Sequence, residues 1–381
     1  MDKLQVYHFH NGGGGGVLSV IRNLLMFSKN QSIENHIIYA VNKKEVPSYK
    51  IEPINGAVSQ TLFCYSSNNN FYNTCNGLSK LLPNNSAVIV AHDWLELGVA
   101  SNLGMQNPVV FFLHGDYDYY YELAIKNEQI INLFICVSKS IYEKLISVLP
   151  KRGKDIKYMR FPVPNSNFSF PKNSTNNIIF LGRLTKEKGY DKVVQIANRL
   201  FNSNINLNWH IVGNGKVINT ENLNENIQIK FYKNLPNLEV EALLEKMNFI
   251  LLPSLAEGMP VSIIEAMKAG VVPLVNDISG GIQELIIDNE TGYKIKSNEV
   301  NEFVSTIINL IKNQSLVLKM SKKAKGIADK LFNAYDNTKK IEDEILVINN
   351  VKAKKPRKVY GSRLDHPLIP NNFTKFIRSI K

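Results

Sequence analysis

Short apolar runs separated by polar, turn-rich stretches set the rhythm of this chain. Leu4–His10, His36–Val41, Ala87–Ala91, Val109–Leu113 and Leu133–Val137 have the length and composition of strands buried on both faces. Between them the period changes: Val17, Val20, Ile21, Leu24 and Leu25 recur at helical spacing. Strands alternating with helices predict a parallel sheet covered on both sides. The pattern restarts with strands at Asn177–Leu181, Leu207–Val212, Ile227–Tyr232, Phe249–Pro253 and Val271–Val275. Helices are expected near 188–200, 238–246, 262–269 and 280–287, with three more between about 300 and 348. The stretch from Pro162 to Asn177 reads as a linker by its Pro, Asn and Ser content. The expected fold is therefore α/β: two doubly wound Rossmann-like domains, 1–165 and 166–345, facing a central cleft, then a tail at 346–381. Ligands of such sheets bind beyond the carboxyl ends of the strands.

Length supports two domains, since 381 residues exceed what one ordinary core organises. A hydrophobic content of 44% is that of a globular protein. No apolar run is long enough to span a bilayer, and the opening Met1-Asp-Lys-Leu-Gln-Val-Tyr-His8 leads into a strand instead of a signal peptide. Cys64, Cys75 and Cys136 have no metal-ligand spacing, so a reduced, cytoplasmic setting is expected. The Asn173-Ser-Thr triplet means little in a chain this rich in Asn. The formal charge of +12 is concentrated at the end: residues 346–381 hold nine basic side chains and one acidic one. A nucleic-acid binder would carry that charge on a folded domain, and no such motif is present.

Chemistry gathers in the strand-to-helix loops. Glu257 and Glu265 lie in Glu257-Gly-Met-Pro-Val-Ser-Ile-Ile-Glu265, the first acid in a loop and the second in the following helix. Gly258, Met259 and Pro260 open that helix, whose unpaired N–H groups suit a phosphate. Two isolated glutamates would more often be solvated acids; their neighbours decide. Gly182 and Arg183 follow one strand, with Lys188 close behind; Arg can fork onto a diphosphate and Lys adds a point charge. Gly213, Asn214 and Gly215 follow another strand, and Phe231 and Tyr232 end the next; a structural turn explains these equally well. Ser279, Gly280 and Gly281 open a further helix. Near the start, Gly12–Gly16 follow the first strand, and Gly15 and Gly16 could bring backbone N–H groups close to a ligand. Val17 and Leu18 stand where a dinucleotide fingerprint requires glycine, which disfavours a hydride-transfer enzyme. His114 sits just past a buried strand, where a packing or capping role is the ordinary alternative. Tyr117 begins an aromatic cluster that could stack on sugars or pack a helix. His92 and Asp93 follow the strand before it. Asp116 and Asp118 are read as a chance acidic pair in a Tyr-rich loop, so no metal site is expected.

The stretch around Glu257 resembles the E-x7-E signature of retaining family 4 glycosyltransferases with the GT-B fold. The run Gly182-Arg-Leu-Thr-Lys-Glu-Lys-Gly189 is similar to that family's G-R-L-x-x-x-K-G segment. The resemblance reaches to about residue 345 and is weak across 42–86. It implies a nucleotide-diphosphate sugar as donor, UDP more often than GDP, and a glycan or lipid-linked acceptor in surface polysaccharide synthesis. Under it, Arg183 and Lys188 bind the diphosphate, and Glu257 contacts the donor sugar. Glu265 holds the ribose, and the backbone of Gly213, Gly258, Met259 and Val261 completes the donor site with Gly15 and Gly16. His114 hydrogen-bonds the sugar near the reacting carbon, while His92, Asp93 and Tyr117 line the acceptor side. No cofactor or metal is implied, because two cations and a helix N-terminus do that work. A nucleotide-sugar epimerase or a phosphorylase of the same fold, or a non-catalytic binding protein, are the competing readings. The tail adds a last expectation. Lys352–Lys358 and the amphipathic stretch ending at Lys381 fit either peripheral binding to an anionic inner-membrane face or a helix packed back on the first domain.

Overall fold

The structure is a computed structural model that describes residues 3–13, 15–44, 49–83, 87–168, 170, 176–215, 223–233, 235–296, 299–348 and 361–380. Gly14, the Asn173-Ser-Thr triplet, the basic run Lys352–Lys358 and Lys381 fall outside the described residues.

The chain divides into two compact units. The first comprises Met1–Val137, Ile141–Phe161 and Tyr335–Lys381; the second comprises Ser138–Ser140 and Pro162–Ala334. The first sheet contains β1 (Leu4–His10), β2 (Ile33–Asn42), β3 (Ala57–Tyr65), β4 (Ala87–Ala91), β5 (Val109–Leu113), β6 (Leu133–Cys136) and β7 (Ile156–Tyr158). Their order is β3-β2-β1-β4-β5-β6-β7, every pairing parallel. All residues of β4, β5 and β6 are buried, which is why these strands read as unbroken apolar runs. At the edge, β3 alternates exposed and half-buried positions, and so carries no such run.

The second sheet contains β8 (Asn177–Leu181), β9 (Asn208–Val212), β10 (Ile229–Tyr232), β11 (Phe249–Leu252), β12 (Val272–Asn276) and β13 (Tyr293–Ile295). It runs β10-β9-β8-β11-β12-β13, again all parallel. Helix Val261–Lys268 packs on β11 and β12, with Gln314–Leu331 against it. Its Ile263, Ile264 and Met267 are wholly buried. Each sheet reverses its strand order once, between β1 and β4 and between β8 and β11. Such a reversal opens a crevice at the carboxyl ends of the two strands beside it.

One boundary differs from the sequence reading. Helix Ala334–Ile348, placed there in the second domain, groups almost entirely with the first unit. Ser28 donates to the Glu342 carboxylate, Phe27 meets Tyr335 edge to face, and Asn337 donates to the Phe161 carbonyl. These contacts outweigh sequence proximity.

Lys268, only 1% exposed, ties the second unit together where the chain enters and leaves it. Its Nζ donates to the Val163 carbonyl (2.7 Å), Asn165 Oδ1 (2.7 Å) and the Phe332 carbonyl (2.9 Å). All three ammonium hydrogens are thereby used.

Candidate functional site

In the second unit, the loops after β8, β9, β11 and β12 bring the expected donor residues to one edge of the sheet. Lys188 comes from the loop after β8 and Glu257 from the loop after β11, the two strands beside the reversal. Their side chains pair at 2.7 Å, Lys188 one-fifth exposed and Glu257 nearly buried. Arg183 is exposed on the same β8 loop.

Backbone packing fixes these loops. Gly213 has φ +153°, and a Cβ there would lie 1.8 Å from the Gly182 carbonyl oxygen. Only glycine lets the β9 loop press against the residue preceding Arg183. Gly280 has φ +95°, and a Cβ there would lie 2.2 Å from the Glu257 carbonyl oxygen. Next to it Gly281 N donates to the Gly258 carbonyl at 2.6 Å. The Glu257 loop is thus clamped from the β12 side.

Pro260 caps the helix after this loop and Val261 is its first residue, so the first N–H groups lie beside the Gly258–Met259 turn. Met259 itself is buried beneath Gly281. Glu265 lies half-buried in the same helix. The Tyr232 carbonyl accepts from Gly213 N at 3.1 Å, and the Tyr232 hydroxyl meets His210 Nδ1 at 3.0 Å.

In the first unit, histidines occupy the corresponding reversal. His8 Nδ1 lies 3.3 Å from His92 Nε2, and His92 Nδ1 lies 2.8 Å from His114 Nε2. The His8 ring also hydrogen-bonds Asn35. Asn35 Nδ2 donates to Ser28 Oγ at 3.2 Å, and Ser28 donates to Glu342. Asn35 Oδ1 can accept from His8 while its nitrogen donates to Ser28; in that arrangement His8 accepts from His92, and His92 from His114. The His114 proton is then on Nε2, and Nδ1 is left as an acceptor. Burial holds His8 and His10 down to about 4 and His92 well below its ordinary value; burial, with His10 beside it, takes His114 to about 3. The stack is neutral at pH 7. His92 is buried with both ring nitrogens engaged, so it stands behind His114 and has no nitrogen left for an acceptor.

Asp93 caps helix Trp94–Leu103 and accepts from the Tyr119 hydroxyl. Tyr117 is exposed at the start of helix Asp118–Lys126. Asp116 accepts from the Tyr121 hydroxyl at 2.7 Å, and Lys144 lies 3.9 Å from Asp116 and 3.3 Å from Asp118. Gly15 precedes helix Gly16–Met26 with φ 141°. Asn11, Asp93 and Trp94 line a cavity of about 440 Å³ together with Tyr65, Glu96 and Arg378. Glu96 was not singled out from the sequence. It is 3% exposed, its Oε2 has no hydrogen-bond partner among the described residues, and burial, followed by Asp93, pushes its carboxyl up to about 8. Amides, carboxyls and aromatic rings together suit a hydroxyl-rich ring.

Residues 164–327 match the family model described as Glycosyl transferases group 1. An uncharacterized glycosyltransferase of Haemophilus influenzae is 30% identical over 175 residues, 44% of this chain and 50% of that one. The UDP-Gal:alpha-D-GlcNAc-diphosphoundecaprenol alpha-1,3-galactosyltransferase of Escherichia coli is 27% identical over 177 residues, 44% of this chain and 45% of that one. This chain spans 50%, 30% and 58% of the length of three curated relatives. The crystal structure of Anabaena HepE in complex with UDP and glucose has a TM-score of 0.71 at 14% identity, over 90% of this chain and 100% of that one. That likeness speaks to fold, and the two Rossmann-like units are those of GT-B proteins. Over residues 164–327, the chain is thus similar to the glycosyl transferases group 1 family.

Proposed function

We propose that this chain is a retaining glycosyltransferase that moves a hexosyl group from a UDP-sugar to a glycan or lipid-linked acceptor in bacterial surface polysaccharide synthesis. The observation that carries the reading is the Lys188–Glu257 pair across the β8/β11 reversal, flanked by Arg183 and a helix N-terminus. In this reading Arg183 and Lys188 neutralise the diphosphate, and the N–H groups of Gly258, Met259 and Val261 support it. Gly213 and the glycines at 15 and 16 let backbone approach the donor. Glu257 turns from Lys188 to the sugar hydroxyls, and Glu265 holds the ribose. His114 accepts a hydrogen bond from a donor-sugar hydroxyl at Nδ1, held in that tautomer by His92.

The chemistry then needs no enzymic nucleophile. The bond from the anomeric carbon to the diphosphate oxygen breaks, and the acceptor oxygen bonds that carbon from the same face. The departing phosphate oxygen takes the acceptor proton. The names of the E. coli galactosyltransferase and of HepE's ligands favour UDP and a lipid-linked acceptor. A thermal-shift panel of UDP- and GDP-sugars tests the donor, because a ligand of the folded state raises the midpoint by mass action. Transfer to undecaprenyl-diphosphate sugars, with the product anomer read by NMR, tests the reaction. No shift with any nucleotide sugar, or an inverted product, overturns the proposal.

A further inference from the structure

The C-terminal helix Asn371–Ser379 is docked the wrong way round for an ordinary surface helix. Its inward side is mostly polar. Thr374, fully buried, donates to the Leu364 carbonyl at 2.9 Å, and Asn371 Oδ1 accepts from Asn70 N at 2.9 Å. Arg378 pairs with Asp365 at 2.7 Å and donates to the carbonyls of Ser67 and Asn69. Asn70 Nδ2 returns bonds to the carbonyls of His366 and Ile369, and Phe71 N donates to Asp365. The segment is therefore firmly held on the first unit. Phe373, Phe376 and Ile380 follow one another at i, i+3 and i+7 on the outside, exposed by 52%, 62% and 68%. Lys375 stands beside them, also exposed.

Leaving three large apolar side chains in water opposes the hydrophobic effect, and a polar docking face prevents the helix from rolling them inward. The charge of this part of the sequence points to what covers them. Asp365 is the sole acid of residues 346–381, and it is taken by Arg378, one of nine basic residues. A helix with an outward apolar stripe in a cationic segment matches the interface of an anionic bilayer, where rings enter the headgroup boundary and cations stay outside. A second copy of this chain would bring the same positive charge against itself. We infer that the Phe373–Phe376–Ile380 stripe is a membrane-docking surface that seats the first unit on anionic lipid. The inference does not depend on the reaction proposed above.

Co-sedimentation of the full chain with phosphatidylglycerol vesicles, against phosphatidylcholine vesicles, tests it. Binding is expected to phosphatidylglycerol and to weaken as salt rises. Phe373→Ser with Phe376→Ser should lower the partition coefficient by about tenfold or more, from the lost insertion of two rings. The thermal midpoint should not move, because both rings are already in water. Vesicle binding by the double variant equal to the parent overturns the inference, as does failure of the parent to sediment with anionic vesicles. A concentration-dependent dimer that the double variant abolishes, with vesicle binding unchanged, assigns the stripe to a second copy and also overturns it.

Discussion

Lys188 Nζ sits 2.7 Å from Glu257 Oε1, joining the loops after β8 and β11 where the second sheet reverses its order. Removing either partner leaves the other's charge partly buried. Lys188→Met and Glu257→Leu are each expected to cost roughly 1–3 kcal/mol in urea unfolding, below the value for a fully buried pair because Lys188 still meets water. The double variant should lose less than the sum, since it strands no charge. Sugar transfer should fall by at least about a hundredfold in both single variants, because the diphosphate cation or the sugar contact is gone. Near-parent turnover in both would remove the pair from the donor site.

The histidine stack makes stability fall in acid. His8, His10 and His114 have values of about 4, 4 and 3 when folded, against an ordinary value of 6.5. Below pH 6.5 the unfolded chain therefore binds more protons than the folded one, and stability declines from there to about pH 4. Each such imidazole contributes a slope of about 1.4 kcal/mol per pH unit within that window. Thermal midpoints from pH 7.5 to 4.5 should drop steeply, and His8→Gln should flatten the curve. A flat parent curve would contradict the buried, neutral stack.

Glu96 has the opposite pH signature. Its folded value of about 8 lies above the ordinary 4.5, so the folded chain holds a proton that the unfolded chain has lost. Stability is thus lost as pH rises between those values, at about 1.4 kcal/mol per unit. Glu96→Gln keeps the shape and removes the penalty. Its advantage over the parent should be absent at pH 4.5 and grow towards pH 8, as read by urea midpoints.

Gly213→Ala drives a methyl group into the Gly182 carbonyl. The strain should cost about 1–3 kcal/mol and push the Arg183 loop away from the β9 loop. Nucleotide-sugar affinity, measured by titration calorimetry, should weaken about tenfold or more. Gly153→Ala, with nothing within 4 Å of the new carbon, is the control and should leave affinity unchanged.

Chelation provides a further check. If Arg183, Lys188 and the helix N-terminus neutralise the leaving diphosphate, turnover in EDTA should equal turnover in Mg²⁺. Dependence on a divalent cation would assign part of that work to a metal.

The legible parts of the sequence were those that neighbouring residues determine. Unbroken runs such as Ala87–Ala91 and Val109–Leu113 announce strands buried on both faces, and the loop residues after β8 and β11 could be ranked by their chemistry. The edge strand Ala57–Tyr65 has too few buried positions to stand out, and β7 and β13 are three residues each. Contacts across long separations were invisible. Ser28 and Glu342 lie 314 positions apart, and nothing near Glu342 marks it as the end of a chain leading to His114. His92 was placed with the acceptor because its loop follows a strand; only its two ring contacts show it engaged behind His114. Glu96 looks like an ordinary first-turn helix acid until its burial is seen.

The Lys268 ammonium, which grips the strand of chain arriving at Val163 and the one departing at Phe332, has a consequence for ancestry. A module whose two ends meet at one point looks, to the rest of the chain, like a loop of fixed span whatever its interior contains. Such a module can be lengthened, exchanged or grafted without disturbing the host that receives it. Residues 162–334 are therefore expected to tolerate exchange as a unit, with recombination points at their joined ends.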